Sequence, residues 1–137
     1  NYTGIVNEYI QYKGSFLPEE LPDVLTGGFG LVWDGDGTDG CTGRAGEYLR
    51  YNNPHKMSLY LAAQIPVIVW TKSATADFVT ENDVGITVNS LEEIADRLNV
   101  MSETEYRKMI ENTKKISDRL TTGYYTLKAI KKAENMI

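Results

Sequence analysis

Apolar positions along this 137-residue chain fall into two rhythms, short β-branched runs and longer stretches at helical spacing. Tyr9 to Lys13 reads as a strand ending at Gly14. Pro18 to Leu25 reads as a short helix, with Ser15 as a start signal and Gly27-Gly28 as the stop. Phe29 to Trp33 reads as a second, mostly buried strand. Residues 34–47 are rich in glycine and lack apolar periodicity, which predicts a flexible loop. Pro54 to Gln64 is expected to be helical, since Pro suits a first turn and Met57, Tyr60 and Leu61 keep helical spacing. Val67 to Trp70 carries the clearest strand signal, β-branched and bounded by Pro66. Ala74 to Asn82 follows as a helix and Gly85 to Val88 as a strand. Ser90 to Leu98 is then a helix in which Ser90 and Glu93 stand at capping-box spacing. Ser102 and Glu105 repeat that spacing at the head of a long helix whose apolar stripe is Tyr106, Met109, Ile110, Ile116 and Leu120. Thr122-Gly123 breaks it, and Tyr124 to Ile137 forms a last helix with Leu127, Ile130 and Ile137 inward.

Strands alternating with helices predict an α/β fold, a Rossmann-like three-layer sandwich with a mainly parallel sheet and C-terminal helices. The length fits a single domain over residues 1–137. Sheets of this kind receive ligands at the carboxyl ends of their strands. With 42% hydrophobic and 24% charged residues, the composition excludes a disordered chain. The longest apolar run, Ile65 to Trp70, is far short of the roughly 20 residues that a membrane span needs. Cys41 is the single cysteine, so neither an internal disulfide nor a cysteine zinc site is available, and a reducing, cytoplasmic setting fits best. His55, the single histidine, cannot build a histidine metal site.

The net charge of −5 is unevenly placed. Residues 102–137 carry +3 and the rest of the chain −8, too acidic a body to grip a nucleic-acid backbone. Within that body, residues 44–56 hold Arg44, Arg50, Lys56 and His55 against Glu47 alone, the window where an anion would be received. Two familiar patterns fail on inspection. Gly35-Asp36-Gly37-Thr38-Asp39-Gly40 spells a dinucleotide fingerprint, but its carboxylates would repel a pyrophosphate and no helical pattern follows closely. The same residues imitate a calcium loop, yet Asp39 and Ala45 stand where that loop needs Gly and Glu.

The informative segment is Tyr51-Asn52-Asn53-Pro54-His55-Lys56, a polar loop entering a helix. Helix N-termini expose unpaired N–H groups and a partial positive charge that favours phosphate. A lysine in that first turn is disfavoured by a few tenths of a kcal/mol, and an anionic ligand at the same end reverses the sign.

Lys56-x-x-x-Tyr60-Leu61-Ala62-x-x-x-Pro66-Val67-Ile68 resembles the nucleotide-sugar segment of GT-B glycosyltransferases. More closely, Gly14-Ser15-Phe16, Gly30 to Gly35, Tyr51 to Lys56, Ser73 to Val79 and Gly85 resemble the C-terminal half of bacterial glucosyl- and galactofuranosyltransferase-like proteins. That group includes the glucosyltransferase of serine-rich adhesin glycosylation. The resemblance implies the donor-binding half of a two-domain enzyme that transfers a hexose from a nucleotide-sugar, a UDP-sugar, to a glycan or glycoprotein acceptor. It implies a preceding acceptor-binding domain of roughly 150–200 residues. It also implies no metal cofactor, a cytoplasmic location with peripheral membrane attachment allowed, and no transfer by this domain alone.

Carried onto this chain, the resemblance has Lys56 neutralise the leaving diphosphate. Tyr51, Asn53 and His55 would line the phosphate or ribose side. Gly14, Ser15 and Phe16 would sit near the base, with Phe16 able to stack on it. Ser73, Ala74 and Thr75 would open a helix toward diphosphate or sugar. Leu59 stands where the wider pattern has a ribose-binding Glu, and Gln64 replaces its Gly, so ribose must be held differently here. No residue reads as a catalytic base. If the last helix packs on the acceptor domain, its apolar face is left free in this chain to drive homo-oligomer formation. The alternative reading is a non-catalytic Rossmann-like interaction or regulatory domain, in which Asp34 would be the phosphoacceptor.

Overall fold

A computed structural model describes residues 8–17 and 19–136. Seven helices and three strands follow one another in the described residues: α1 (Leu21–Val24), β1 (Gly30–Val32), α2 (Gly43–Tyr48), α3 (His55–Ala62), β2 (Val67–Trp70), α4 (Ala76–Asn82), β3 (Gly85–Val88), α5 (Glu93–Val100), α6 (Glu103–Thr121) and α7 (Tyr124–Glu134). The strands form one parallel sheet in the order β1-β2-β3. Helices cover both faces, the α/β Rossmann-like architecture that the alternation of elements predicts.

β2 lies in the middle, and all four of its residues are buried. Register pairs Val32 with Val69 and Ile68 with Ile86. Because side chains alternate along a strand, Val32, Val67 and Val69 share one face, where they pack with Met57 and Leu61 of α3, Val79 of α4 and Ile116 of α6. Ile68, Ile86 and Val88 share the other, under Met109 of α6 and Ile94 of α5.

α6 joins the two faces. Its 19 residues give it a length of about 28 Å, ample to cross three strands. Tyr106 Oη donates to the Gly28 carbonyl ahead of β1 at 3.1 Å, and Asn112 Nδ2 to the Asp83 carbonyl ahead of β3 at 3.3 Å. Ser117 Oγ donates to the Ala62 carbonyl, at the end of α3 that feeds β2, at 2.8 Å. The helix thus braces the amino ends of the sheet and leaves the carboxyl ends clear. Its start is the predicted capping box, Ser102 accepting from the Glu105 N–H and Glu105 accepting from the Ser102 N–H.

Several local expectations change. Tyr9 to Lys13 forms no strand: the segment is irregular and exposed, with no ladder to the sheet edge at β1. The first helix shortens to Leu21–Val24, and the Leu17 N–H is met by the Glu20 carboxylate, so Ser15 plays no capping part; Pro18 lies outside the described residues. The glycine-rich stretch contains α2, and it is pinned rather than flexible. Trp33 Nε1 donates to the Gly37 carbonyl at 3.0 Å, and the Leu91 N–H to the Thr38 carbonyl at 2.8 Å. Ser90 is not the cap of α5, because the Glu93 carboxylate reaches past it to the Asn89 N–H at 2.9 Å. In α7, Leu127 and Ile130 are 57% and 50% exposed instead of inward, since no described element covers that face; Ile137 lies outside the described residues.

A Cβ built on Gly85 would run into the Val67 backbone, the partner across the ladder, whereas one on Gly28 would meet only Tyr106 Oη at van der Waals distance. Gly85→Ala should therefore cost about 1–3 kcal/mol, as overpacking against backbone does, and lower the urea midpoint. Gly28→Ala should leave the midpoint near wild type, and equal midpoints for the two variants would contradict this account of the sheet.

Candidate functional site

Lys56 stands in the first turn of α3, which begins directly after the extended residue Pro54. Its side chain runs to the carboxyl end of β1. There Nζ donates to Asp34 Oδ1 at 2.6 Å and to the Trp33 carbonyl at 3.2 Å. Those bonds engage two of the ammonium's three donors. Both partners of the ion pair keep 38% of their side-chain surface exposed, so the pair faces solvent at the strand ends.

Two cavities are formed by neighbouring segments, and neither Lys56 nor Asp34 lines either of them. The larger, about 450 Å³, brings together four residues anticipated for the site, Tyr51 and Asn53 from the loop before α3 and Ala74 and Thr75 before α4. Its remaining walls are mainly apolar, from Met57 and Phe78 among others. The smaller, about 220 Å³, lies beneath the pinned glycine loop at the ends of β2 and β3, where Gly40 and Cys41 face Trp70 and Asn89. Arg50 and Lys72 also line it, the Arg50 guanidinium lying over the Trp70 ring at 4.8 Å and paired with Glu47 at 2.7 Å.

Other anticipated residues are placed less tightly. His55 is exposed beside Lys56. Gly14, Ser15 and Phe16 lie on the irregular leading segment, where Ser15 Oγ is 3.0 Å from Tyr12 Oη and Phe16 is 42% exposed. They line neither cavity. At the turn before α4, the Ser73 N–H donates to Trp70 and the Ala74 N–H to Leu49, each at 2.9 Å, so these donors are spent inside the protein. Ser73 Oγ pairs with Thr75 Oγ1 at 3.1 Å, and the N-cap of α4 is Thr75.

The fingerprint-like run Gly35 to Gly40 is followed by a helix sooner than its pattern suggests, at Gly43. The Asp36 carboxylate packs against that first residue, where a phosphate would have to lie. Among the described residues, no three of His, Cys, Asp or Glu are grouped to hold a metal ion, and no helix is long and apolar enough to cross a membrane.

A family profile described as Glucosyltransferase 3-like, C-terminal domain, matches residues 2–133. The chain belongs to that family. It is 43% identical over 117 residues to the beta-1,6-galactofuranosyltransferase WbbI of Escherichia coli (strain K12), covering 84% of this chain and 36% of that protein. It is 37% identical over 113 residues to Glucosyltransferase 3 of Streptococcus gordonii, covering 82% and 33%, and 31% identical over 117 residues to that of Streptococcus parasanguinis, covering 84% and 33%. The chain therefore spans about a third of the length of the curated relatives it matches.

In this Glucosyltransferase 3-like domain, sequence reasoning reached Asp34 only as the phosphoacceptor of the alternative reading, not as a partner of Lys56, and did not reach Lys72, which lines the smaller cavity. Asp34 had a signal, its position one residue past a strand end, where such sheets place ligand-facing groups. Lys72 has a weaker form of that signal, two residues past the end of β2.

Cys41 is fully buried between the ion pair and the smaller cavity, and burial pushes its thiol above the ordinary value. A raised folded value means that the thiol form adds stability below the unfolded pKa, and that this is lost as pH rises through the folded one. Cys41 should therefore resist Ellman's reagent at pH 8 in native buffer and react promptly in urea. Rapid stoichiometric labelling of the native protein would contradict its placement.

Proposed function

We propose that this chain is the nucleotide-sugar domain of a GT-B hexosyltransferase, that its donor is a UDP-sugar, and that no metal takes part. The observation that carries the reading is Lys56, a cation in a helix's first turn at the carboxyl end of a parallel strand. Two features concentrate positive potential there, the N–H groups opening α3 and the ammonium itself. As the bond from the sugar to the diphosphate breaks, negative charge grows on the departing oxygen, and a fixed cation lowers the energy of that change. No proton transfer by this domain is needed for it. Tyr51, Asn53 and His55 surround the same helix start and would orient the phosphates and ribose. The names of the relatives, a galactofuranosyltransferase and two glucosyltransferases, support a hexose as the transferred group.

The acceptor, a glycan or glycoprotein, would enter from a separate domain, as would the group that activates it. The exposed face of α7, with Tyr124, Leu127 and Ile130, supports a partner domain on that side and offers a route to self-association when that domain is missing. A phosphoacceptor role for Asp34 is less well supported, because its carboxylate already bonds Lys56.

Calorimetric titration with UDP should give saturable binding that survives EDTA. Lys56→Ala should weaken it at least tenfold, about 1.4 kcal/mol, and hexose transfer by this chain alone should be undetectable. Binding lost in EDTA, or unchanged in Lys56→Ala, would overturn the metal-free diphosphate site.

A further inference from the structure

Lys56 is not waiting for its ligand with an empty hand. Its ammonium is held by a carboxylate at 2.6 Å and a carbonyl at 3.2 Å, both supplied by the residues that close β1. The carboxylate is held in place from both sides in sequence, since Asp34 lies two residues past the end of β1 and the turn that follows is tied by the Trp33 Nε1 bond to the Gly37 carbonyl and the Asp36 N–H bond to the Thr42 carbonyl. A phosphate that reaches Lys56 must come close to a fixed negative charge. It either displaces that charge from the ammonium or shares the ammonium with it.

Resting on the reading of Lys56 as the diphosphate-contacting residue, we propose that Asp34 is a built-in counter-anion that competes with the donor's diphosphate for Lys56. Asp34 then has two effects. It holds the ammonium at the strand end, ready and oriented, and it lowers the affinity for every anionic ligand of the site. The second effect matters most after transfer, when the free diphosphate carries more charge than the donor did and must leave. Asp34 is therefore a positioning residue that limits how tightly the nucleoside diphosphate product is held.

The two effects separate by substitution. Asp34→Asn keeps an oxygen that accepts from Lys56 but removes the charge, whereas Asp34→Ala removes both. The pair is more than a third exposed, so neither change should cost the fold much; circular dichroism melting checks this. Titrations compare UDP with uridine, which has no phosphate, on wild type, Asp34→Asn, Asp34→Ala and Lys56→Ala. The proposal expects Asp34→Asn to bind UDP at least threefold more tightly than wild type, Asp34→Ala to gain less, and uridine to be indifferent to both.

Unchanged or weaker UDP binding in a folded Asp34→Asn overturns the proposal, and so does an equal gain for uridine, which would point to a change of shape. Loss of a magnesium-dependent part of UDP binding in Asp34→Asn also overturns it, because Asp34 would then be a metal ligand. The Lys56→Ala arm is read separately: if that variant binds UDP as wild type does, the diphosphate site itself is misplaced. If Lys56→Ala weakens binding while Asp34→Asn does not strengthen it, the diphosphate site stands and the competition alone falls.

Discussion

With Val67 and Val69 facing one helical layer, Ile68 the other, and Trp70 packed on Cys41 and Leu49 at the carboxyl end, all four residues of β2 are buried and its neighbours are positioned against it. A strand apolar on both faces has to be covered on both, as the middle strand of a parallel sheet is by helices above and below. That requirement puts β1 and β3 at the edges and dictates that α3 and α4 return across one face. The close approach of β3 at Gly85, where any side chain would collide with the Val67 backbone, belongs to the same constraint. α6 then binds the backbone near the entry of all three strands with three side-chain hydrogen bonds, so the amino ends are occupied and the carboxyl ends are left for ligand.

Electrostatics at the open end reflects this geometry. α3 starts where β1 stops, so the first turn of the helix and the residues after the strand must share one small volume. Lys56 comes from the helix, and Asp34 from the strand. A lysine near a helix N-terminus is mildly unfavourable, and pairing with Asp34 offsets that penalty in the free protein. A diphosphate would offset it more strongly, because it brings more charge and also meets the helix N–H groups. The ion pair therefore suits a site whose two states are close in energy, and the structure invests little stability in either.

The parts of the fold legible in the sequence are those whose signals are local. Val67–Trp70 and Gly85–Val88 have the expected bounds because burial on both faces demands an unbroken apolar run in the first, and fuller burial of one face gives alternation in the second. The Ser102 capping box formed because its partners are three residues apart and nothing else competes for them. Ser90 failed for the opposite reason. Asn89 offers the Glu93 carboxylate a backbone N–H and a side-chain amide together, which outcompetes a single bond at Ser90. The expected strand at Tyr9 to Lys13 had suitable side chains but depended on a ladder partner, and propensity does not supply one.

The site was legible to a similar depth. Lys56 was singled out from its position at a helix start, and the helix is where the spacing places it. Its partner was not foreseen, because Asp34 lies 22 residues away and sits inside a glycine-rich run that reads as surface loop. Once that run is seen to be pinned through Trp33, Thr38 and Leu91, Asp34 becomes a fixed charge at a strand end instead of a solvated one. Local patterns thus located the cation, but only the strand-to-helix geometry shows that the protein already supplies it with an anion. Any ligand reading of this site has to account for that anion as well as for the lysine.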